Sequence, residues 1–326
     1  MPVTLTSTYN KPKLLFNRHI ETIVPGILRN VKNIPKYERE RITTPDGDFL
    51  DLDWIKNGTK RLVIISHGLE GDSQRPYIKG MAKAFSNDQW DVLAWNFRGC
   101  SGEKNNTRFF YHSGATYDLQ SVVKHAEEKQ YEKIILIGFS LGGNLTLKYL
   151  GEPESHHIEQ IKGAVTFSVP LDLAGCSNEI DLPLNFLYSR RFLKSLKIKV
   201  KEKKEALGEF YDEKKVDSLK SIFDFDDQIT APLHGFKDAN DYYESCSSRN
   251  FISSIKIKTL VVNAQNDPFL SASCLDTSLF KNMDNVFFET PKQGGHVGFS
   301  SYNKSGLFWS EKRALEFVNE ELENHD

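Results

Sequence analysis

Residues Lys133 to Leu150 read KIILIGFSLGGNLTLKYL and join a strand pattern to a helix pattern through a glycine-rich turn. Ile134 to Ile137 form a short apolar run rich in β-branched residues, as is typical of a strand buried on both faces. From Leu141 onward, leucines recur at helical spacing without proline. Between the two patterns stands Gly138-Phe139-Ser140-Leu141-Gly142, the G-x-S-x-G sequence of a nucleophile elbow. Such a tight strand-to-helix reversal needs its glycines because it leaves no room for a Cβ atom on either side of the serine.

The same alternation of strand and helix flanks this stretch on both sides. A Pro45-Asp46-Gly47-Asp48 turn predicts a hairpin. Further strands are predicted at Leu62–Ser66, Asp91–Phe97, Ile161–Val169, Thr259–Ala264 and Val286–Glu289. Helices are predicted at Pro76–Phe85, Tyr117–Lys129 and Glu311–Glu321, with a helix-like segment after Ala264. This succession predicts an α/β fold with a mostly parallel sheet and helices on both faces.

The succession is interrupted between the strands Ile161–Val169 and Thr259–Ala264. There, residues 171–254 carry charged stretches and scattered aromatic residues, and we interpret them as a helical insert that caps the carboxyl end of the sheet. We therefore predict a single domain over residues 1–326, with its core at about 37–170 and 255–326. Residues 1–36 are punctuated by Pro12, Pro25 and Pro35 and are predicted to be irregular and to wrap the domain surface.

The net charge and the cysteine content limit which binding partners and which cellular location we expect for the protein. The net charge is −2, which argues against a nucleic-acid partner and against general attraction to anionic membranes. The four cysteines form no C-x-x-C pair, which fits a reducing compartment better than a disulfide framework. No apolar run has the length of a signal-peptide core or a membrane span, so we expect a cytoplasmic protein without stable membrane insertion. Composition does not indicate an oligomeric state.

Ser140 needs partners, because a serine hydroxyl is a poor nucleophile without an adjacent base that a third group orients. When an elbow serine heads such a triad, the acid and then the histidine follow it along the chain. Asp267 follows the strand TLVVNA, and His296 lies in the GGHVG loop after the strand VFFE. Order, loop position and flanking glycines select His296 from nine histidines. Three other downstream acids fall in the insert and are interpreted as solvated or packing residues: Asp226, Asp227 and Asp241.

Two backbone N–H groups should form an oxyanion hole. One belongs to Leu141, which follows the nucleophile, and the other to Leu69, where His67-Gly68 allows a sharp turn after the strand LVIIS. His67 itself is interpreted as a structural hydrogen-bonding residue rather than a second base. No step of this chemistry needs a cofactor or a metal ion.

Several other features have both a functional and a structural interpretation. Six apolar residues of the insert either line an acyl pocket or pack the insert onto the core: Leu182, Leu184, Phe186, Leu187, Phe192 and Leu193. The six lysines between Lys194 and Lys204 either meet lipid head groups or form a solvated helix face. Cys100 is interpreted as a small buried thiol. The pair His156-His157 lacks further ligands at helical spacing, so a metal site there is not expected.

Longer blocks of sequence carry a family resemblance that covers most of the chain. They are NRHIET (17–22), DGDFLDLDW (46–54), HGLEG (67–71), NFRGCSGE (96–103), YHSG (111–114), GFSLGGN (138–144), NDPF (266–269) and GGHVGF (294–299). On these blocks the chain resembles the YheT-like branch of the α/β-hydrolase superfamily. The resemblance implies an eight-stranded sheet and a triad of Ser140, Asp267 and His296. It also implies an esterase or lipase with medium-chain acyl preference.

The leading hypothesis is therefore a serine carboxylesterase or lipase that cleaves short- to medium-chain acyl esters, small molecules, through an acyl-enzyme on Ser140. An acyltransferase that passes the acyl group to an alcohol would use the same residues, so the sequence leaves this alternative open. A non-catalytic binding module is disfavoured because no triad member is missing.

Overall fold

The apolar runs of the sequence become adjacent strands of one sheet. A computed structural model describes residues 4–153, 158–281, 283–303 and 306–323, so the pair His156-His157 lies outside the described residues. Within these ranges the strands are β1 (Thr4–Leu5), β2 (Glu38–Thr43), β3 (Phe49–Ile55), β4 (Arg61–Ser66), β5 (Asp91–Asn96), β6 (Lys133–Phe139), β7 (Ile161–Phe167), β8 (Lys258–Val262) and β9 (Val286–Glu289).

Strands β2 to β9 form the predicted eight-stranded, mostly parallel sheet, which confirms the fold class. The order is β1-β9-β8-β7-β6-β4-β5-β3-β2. The hairpin of β2 and β3 is antiparallel, as is the pairing of β3 with β5, and all other neighbours are parallel. The two-residue strand β1 adds an edge beside β9. The sequence analysis did not predict it because two residues are too short to show a strand periodicity.

The helices in the described ranges are α1 (Arg18–Leu28), α2 (Pro76–Asn87), α3 (Thr116–Glu128), α4 (Leu141–Gly151), α5 (Leu173–Ile180), α6 (Phe186–Glu202), α7 (Lys204–Leu207), α8 (Glu213–Ser218), α9 (Ile222–Phe225), α10 (Ala231–His234), α11 (Ala239–Cys246) and α12 (Trp309–Val318). Helices α5 to α11 lie between β7 and β8, within residues 171–254, which we call the insert. No helix in these ranges combines the length and the apolar character needed to cross a membrane.

Strand β6 is buried on both faces, as its apolar run predicts. Ile135 and Ile137 belong to a core cluster with residues of α2 and α12. Ile134 and Leu136 belong to a second cluster on the opposite face, with residues of α3 and α4. Alternation along the strand therefore supplies both hydrophobic layers, and it fixes the elbow serine at the end of a rigid element.

Two segments differ from the sequence-based prediction. Residues 1–36 were predicted to be irregular, yet they contain α1, which begins after Asn17 because the Asn17 side chain accepts hydrogen bonds from the N–H groups of His19 and Ile20. Pro25 lies inside this helix and is buried. The helix-like segment expected after β8 instead forms two short 3-10 turns, separated by Asp276, whose carboxylate accepts the N–H of Ser278.

Candidate active site

Ser140 lies in a sharp reversal between β6 and α4, with backbone angles φ 53° and ψ −121°. Non-glycine residues rarely adopt this conformation, and it is held here because the two elements approach each other closely. A Cβ atom on Gly138 would lie 2.5 Å from the carbonyl oxygen of Gly142. A Cβ atom on Gly142 would lie 2.5 Å from the carbonyl oxygen of Ser66. Both glycines of the motif are therefore required by the backbone contacts.

The three side chains predicted as a triad lie in contact with one another. His296 Nε2 is 2.9 Å from Ser140 Oγ. On the other side of the ring, Nδ1 is 2.9 Å from Oδ2 and 3.1 Å from Oδ1 of Asp267. The Asp267 side chain is fully buried, and that of His296 is 12% exposed. The carboxylate therefore meets the Nδ1 atom of the imidazole, and Nε2 is left to face the serine hydroxyl.

The loop that carries His296 is held by helix α1. Thr22 Oγ1 accepts the backbone N–H of His296 at 2.9 Å. Glu21 accepts the N–H of Gly294 at 2.7 Å, and it also accepts both hydrogen bonds of Asn266 Nδ2 at 3.2 Å. The sequence analysis did not single out Glu21 and Thr22, although both belong to the NRHIET block. Both residues lie near the start of the chain, and no sequence motif links them to the loop around residue 296.

The turn after β4 passes beside the nucleophile. A Cβ atom on Gly68 would lie only 3.1 Å from the Cβ atom of Ser140. The N–H of Gly68 is donated to Tyr77 Oη at 3.0 Å, whereas no hydrogen bond ties the N–H of Leu69 or Leu141 to another residue within the described ranges. Both leucines line the same cavity as Ser140. Their N–H groups are therefore free to receive a ligand.

His67 has the structural place expected for it. Its Nε2 atom accepts the N–H of Phe97 at 3.1 Å, so its Nδ1 atom carries the proton and faces the carbonyl oxygen of Gly68 at 2.8 Å. The ring is fully buried, and this burial lowers the pKa of His67 to about 3. His67 is therefore neutral at all physiological pH values and braces the turn that presents Leu69.

Glu70 connects this turn to helix α6 of the insert. Its carboxylate accepts a hydrogen bond from Tyr111 Oη at 2.7 Å, pairs with Lys199 Nζ at 2.7 Å and also accepts the hydroxyl of Ser195. Lys199 in turn lies 3.1 Å from the Cys100 thiol, which is only partly buried. The sequence analysis placed Lys199 in a lysine run without a specific partner, because a contact across about 130 residues leaves no local pattern.

A cavity of about 390 Å³ surrounds these groups. It is lined by Ser140 and His296, by Leu69 and Leu141, by residues of α1, and by side chains of the insert such as Phe192 and Phe225. The volume and the mostly apolar lining are typical of a small-molecule site. Within the described ranges, no three His, Cys, Asp or Glu side chains are grouped so that they could hold a metal ion.

Asp226 is a charged group in the wall of this cavity. It begins a π-helical turn, Asp226–Thr230, and it accepts hydrogen bonds from Thr230 Oγ1 at 2.7 Å and Tyr243 Oη at 2.8 Å. Burial raises the pKa of Asp226 to about 6. Asp227 and Asp241, the other two acids weighed against Asp267 above, accept backbone N–H groups of Ala239 and Lys237, which agrees with their interpretation as packing residues.

The six apolar residues of the insert have different surroundings. Leu193 is buried in the cluster that the insert forms within itself, and Phe192 lines the cavity. The other four are exposed to solvent and fit neither of the two interpretations: Leu182, Leu184, Phe186 and Leu187.

Comparisons with known proteins agree with this architecture. A family model described as alpha/beta hydrolase fold matches residues 61–301. YheT of Escherichia coli (strain K12), a proposed esterase, is 33% identical over 87% of this chain and 84% of its own length. Phospholipase ABHD3 of Mus musculus is 31% identical over 81% of this chain and 66% of its own length. A monoacylglycerol lipase of Saccharomyces cerevisiae is 28% identical over 94% of this chain and 68% of its own length.

Among solved structures, the Pyrococcus furiosus esterase Pf2001 superposes with a TM-score of 0.58 at 19% identity, over 90% of this chain and 98% of that one. At this level of identity the match supports the fold alone.

Proposed function

The chain belongs to the alpha/beta hydrolase fold family and is a hydrolase of carboxylic ester bonds, and we propose that it is a serine esterase of short- to medium-chain acyl esters. The observation that carries this proposal is the unbroken series of contacts from Ser140 Oγ through His296 to Asp267, with 2.9 Å at each step. These are the distances that a nucleophile, a general base and an orienting carboxylate require.

In the first half-reaction, Ser140 Oγ attacks the ester carbonyl carbon while His296 Nε2 takes the hydroxyl proton. Asp267 holds the imidazole with its Nδ1–H toward the carboxylate and stabilises the imidazolium that forms. Negative charge develops on the carbonyl oxygen, and the N–H groups of Leu69 and Leu141 stabilise it. Each such donor contributes about 3 to 4 kcal/mol to transition-state stabilisation.

The tetrahedral intermediate then collapses. His296 returns the proton to the departing alkoxide, so an alcohol leaves and the acyl group remains on Ser140 as an ester. In the second half-reaction, His296 takes a proton from water, the resulting nucleophile attacks the acyl-enzyme carbonyl, and the same oxyanion donors serve again. The carboxylic acid leaves, and Ser140 regains its proton.

The acyl chain is assigned to the apolar wall of the cavity, with the insert acting as its cap. Phe192 and Phe225 supply apolar surface there, and the cavity volume of about 390 Å³ lies at the lower end of the range for small-molecule sites. This size favours short and medium acyl chains over long ones. A series of p-nitrophenyl esters from acetate to palmitate should therefore give a maximum of kcat/KM at short to medium length.

Labelling with a fluorophosphonate probe tests the assignment of the nucleophile. Wild-type protein should form one covalent adduct, located on Ser140 by peptide mass spectrometry, and Ser140→Ala should form none. Ser177→Ala removes another hydroxyl that lines the cavity and should keep the label. Absence of labelling in wild type, or an unchanged adduct in Ser140→Ala, would contradict the proposal.

A further inference from the structure

Large apolar side chains are exposed on two segments that border the catalytic cavity. On and before α1 they range from 38% exposed for Ile23 to 77% for Leu14, and they are Leu14, Phe16, Ile23, Ile27 and Leu28. On and before α6 they range from 43% for Leu182 to 74% for Leu184 and Leu187, and they include Phe186. We call these nine residues the apolar rim. Soluble proteins rarely leave so many large apolar side chains exposed together without a binding role.

The two segments adjoin each other at the cavity. His19 Nδ1 of α1 lies 3.3 Å from Tyr188 Oη of α6, and the two rings stack with centroids 5.8 Å apart. Ile23 and Ile27 from α1 and Arg191 from α6 are exposed and also line the catalytic cavity. The cavity therefore reaches the surface between these segments, and Ile23 and Ile27 of the apolar rim border its opening.

Basic residues outnumber acidic ones in the segments that carry the rim. Residues 182–201 contain six Lys or Arg residues and no acid, although the whole chain has a net charge of −2. Residues 4–36 contain six Lys or Arg residues and one acid, Glu21, which is 2% exposed and bonded to the His296 loop. Arg190, Arg191 and Lys194 are exposed on α6 beside Leu187.

Arg190, Arg191 and Lys194 differ in their surroundings from lysines farther along the chain. Lys199 is paired with Glu70, and Lys203 is 4% exposed and donates to Asn105 Oδ1 at 3.0 Å. Both are therefore committed to internal contacts. The first half of α6, rather than its lysine-rich second half, presents the combination of exposed leucine, phenylalanine and arginine that binds lipid interfaces.

We propose that the apolar rim docks the protein peripherally on an anionic lipid surface, so that acyl esters pass from the lipid layer into the catalytic cavity. This inference rests on the proposed esterase function, because it names lipid aggregates as the source of the substrate. Apolar side chains enter the head-group boundary while Arg190 and Lys194 contact anionic head groups. A second copy of the chain is a poorer occupant, since a two-fold dimer through this face would place basic surface against basic surface.

Vesicle sedimentation with the full chain tests the proposal. Wild type should bind vesicles of 30% phosphatidylglycerol in phosphatidylcholine at least about tenfold more strongly than pure phosphatidylcholine vesicles, and binding should weaken as salt is raised. Two double variants should each reduce binding by at least about tenfold: Leu184→Ser with Leu187→Ser, and Arg190→Glu with Lys194→Glu. None of these four residues lines the catalytic cavity.

The matched controls are Phe210→Ser and Lys214→Glu, which change an exposed aromatic and an exposed lysine of the insert outside the rim. Both controls should bind vesicles as wild type does. Rim variants that bind like the controls, or a wild type that does not prefer anionic vesicles, would overturn the inference. A wild-type dimer that the rim variants dissociate would overturn it in favour of a second copy.

Hydrolysis of monomeric p-nitrophenyl butyrate separates this inference from the function on which it rests. The rim variants should keep wild-type kcat/KM on this soluble ester and lose activity only on esters presented in anionic vesicles. A wild type that hydrolyses the soluble ester but binds no vesicles refutes the docking surface alone. A wild type that binds vesicles and hydrolyses neither form of ester refutes the esterase proposal instead.

Discussion

Replacing Asp226 by asparagine should stabilise the protein at neutral and alkaline pH. Asp226 is held in the cavity wall without a cationic partner among its hydrogen bonds, and burial raises its pKa from 3.8 to about 6. The native state therefore keeps this proton to higher pH than the unfolded chain does. By linkage, the stability of the wild type falls as the pH rises from about 4 to about 6 and stays low above that range.

The pKa difference sets the size of the effect. About two pH units of difference correspond to about 3 kcal/mol at pH 8 and to about half of that at pH 5. Asp226 is only partly shielded, because solvent reaches it through the cavity, so screening should reduce the gain at pH 8 to about 1 to 2 kcal/mol. Below pH 4 the two proteins should converge, since both then carry a neutral side chain.

The asparagine can also keep its hydrogen bonds. Its carbonyl oxygen can accept the Thr230 hydroxyl, and its amide can donate to Tyr243 Oη. Tyr243 Oη also lies 2.9 Å from Ser177 Oγ, so the tyrosine proton has a second acceptor. The substitution should therefore leave no buried polar group without a partner.

Urea denaturation of wild type and Asp226→Asn at pH 4, 5, 6 and 8 measures the difference, with equal m-values as the sign that both unfold alike. Asp227→Asn, at the adjacent carboxylate, serves as the control and should show no comparable rise in stability between pH 4 and pH 8. A gain that is the same at every pH, or a loss of stability at pH 8, would refute the reasoning.

Three further predictions concern the elbow, the histidine loop and a pair of thiols. Gly142→Ala should lower Tm far more than Gly143→Ala, because the first Cβ atom meets the backbone of Ser66 at 2.5 Å. The second meets the Val169 side chain at 2.8 Å, which can rotate away, and no backbone atom closer than the Gly138 carbonyl oxygen at 3.3 Å. Similar Tm values would contradict the packing argument. Thr22→Val removes the acceptor of the His296 N–H and should lower kcat by about tenfold with little change in KM, in line with about 1 to 3 kcal/mol for an unsatisfied buried donor. Thr22→Ser should restore the activity, and a Thr22→Val variant with wild-type kcat would show that this bond does not position the histidine. The Sγ atoms of Cys176 and Cys274 lie 3.4 Å apart. Oxidation by diamide should therefore lower the number of free thiols from four to two, and dithiothreitol should restore them. If Cys274→Ser also lost two thiols, other cysteines would be the ones that react.

The sheet and the elbow could be predicted from the sequence because their signals are local. Strand β6 needs only four consecutive apolar residues, and the reversal at Ser140 needs two glycines within five positions. Asp267 and His296 lie far apart from Ser140 along the chain, but each follows a predicted strand. Since parallel strands end at the same edge of a sheet, chain order alone was enough to bring them together.

The supporting residues could not be predicted because their partners are distant and their own surroundings carry no pattern. Glu21 and Thr22 stand in a segment that Pro12, Pro25 and Pro35 predicted to be irregular, but the N-cap at Asn17 begins a helix there. Lys199 belongs to a run of six lysines. The sequence of such a run does not distinguish a lysine that forms a buried ion pair, as Lys199 does with Glu70, from one that is exposed to solvent. The sequence shows which residue types are present, but only the tertiary contacts show which partner each of these side chains has.

The segments with the weakest sequence signals thus hold two loops of the proposed active site. Helix α1 holds the His296 loop through Thr22, and helix α6 holds the Leu69 turn through Lys199 and Glu70. Other residues of the same helices, and of the segments just before them, carry the apolar rim. Because neighbouring residues of a helix point in different directions, each of these helices can expose apolar side chains for the proposed lipid contact while other residues hold a loop of the proposed active site. The charge of −2 for the whole chain conceals the local excess of exposed positive charge on α6, where Arg190, Arg191 and Lys194 are exposed.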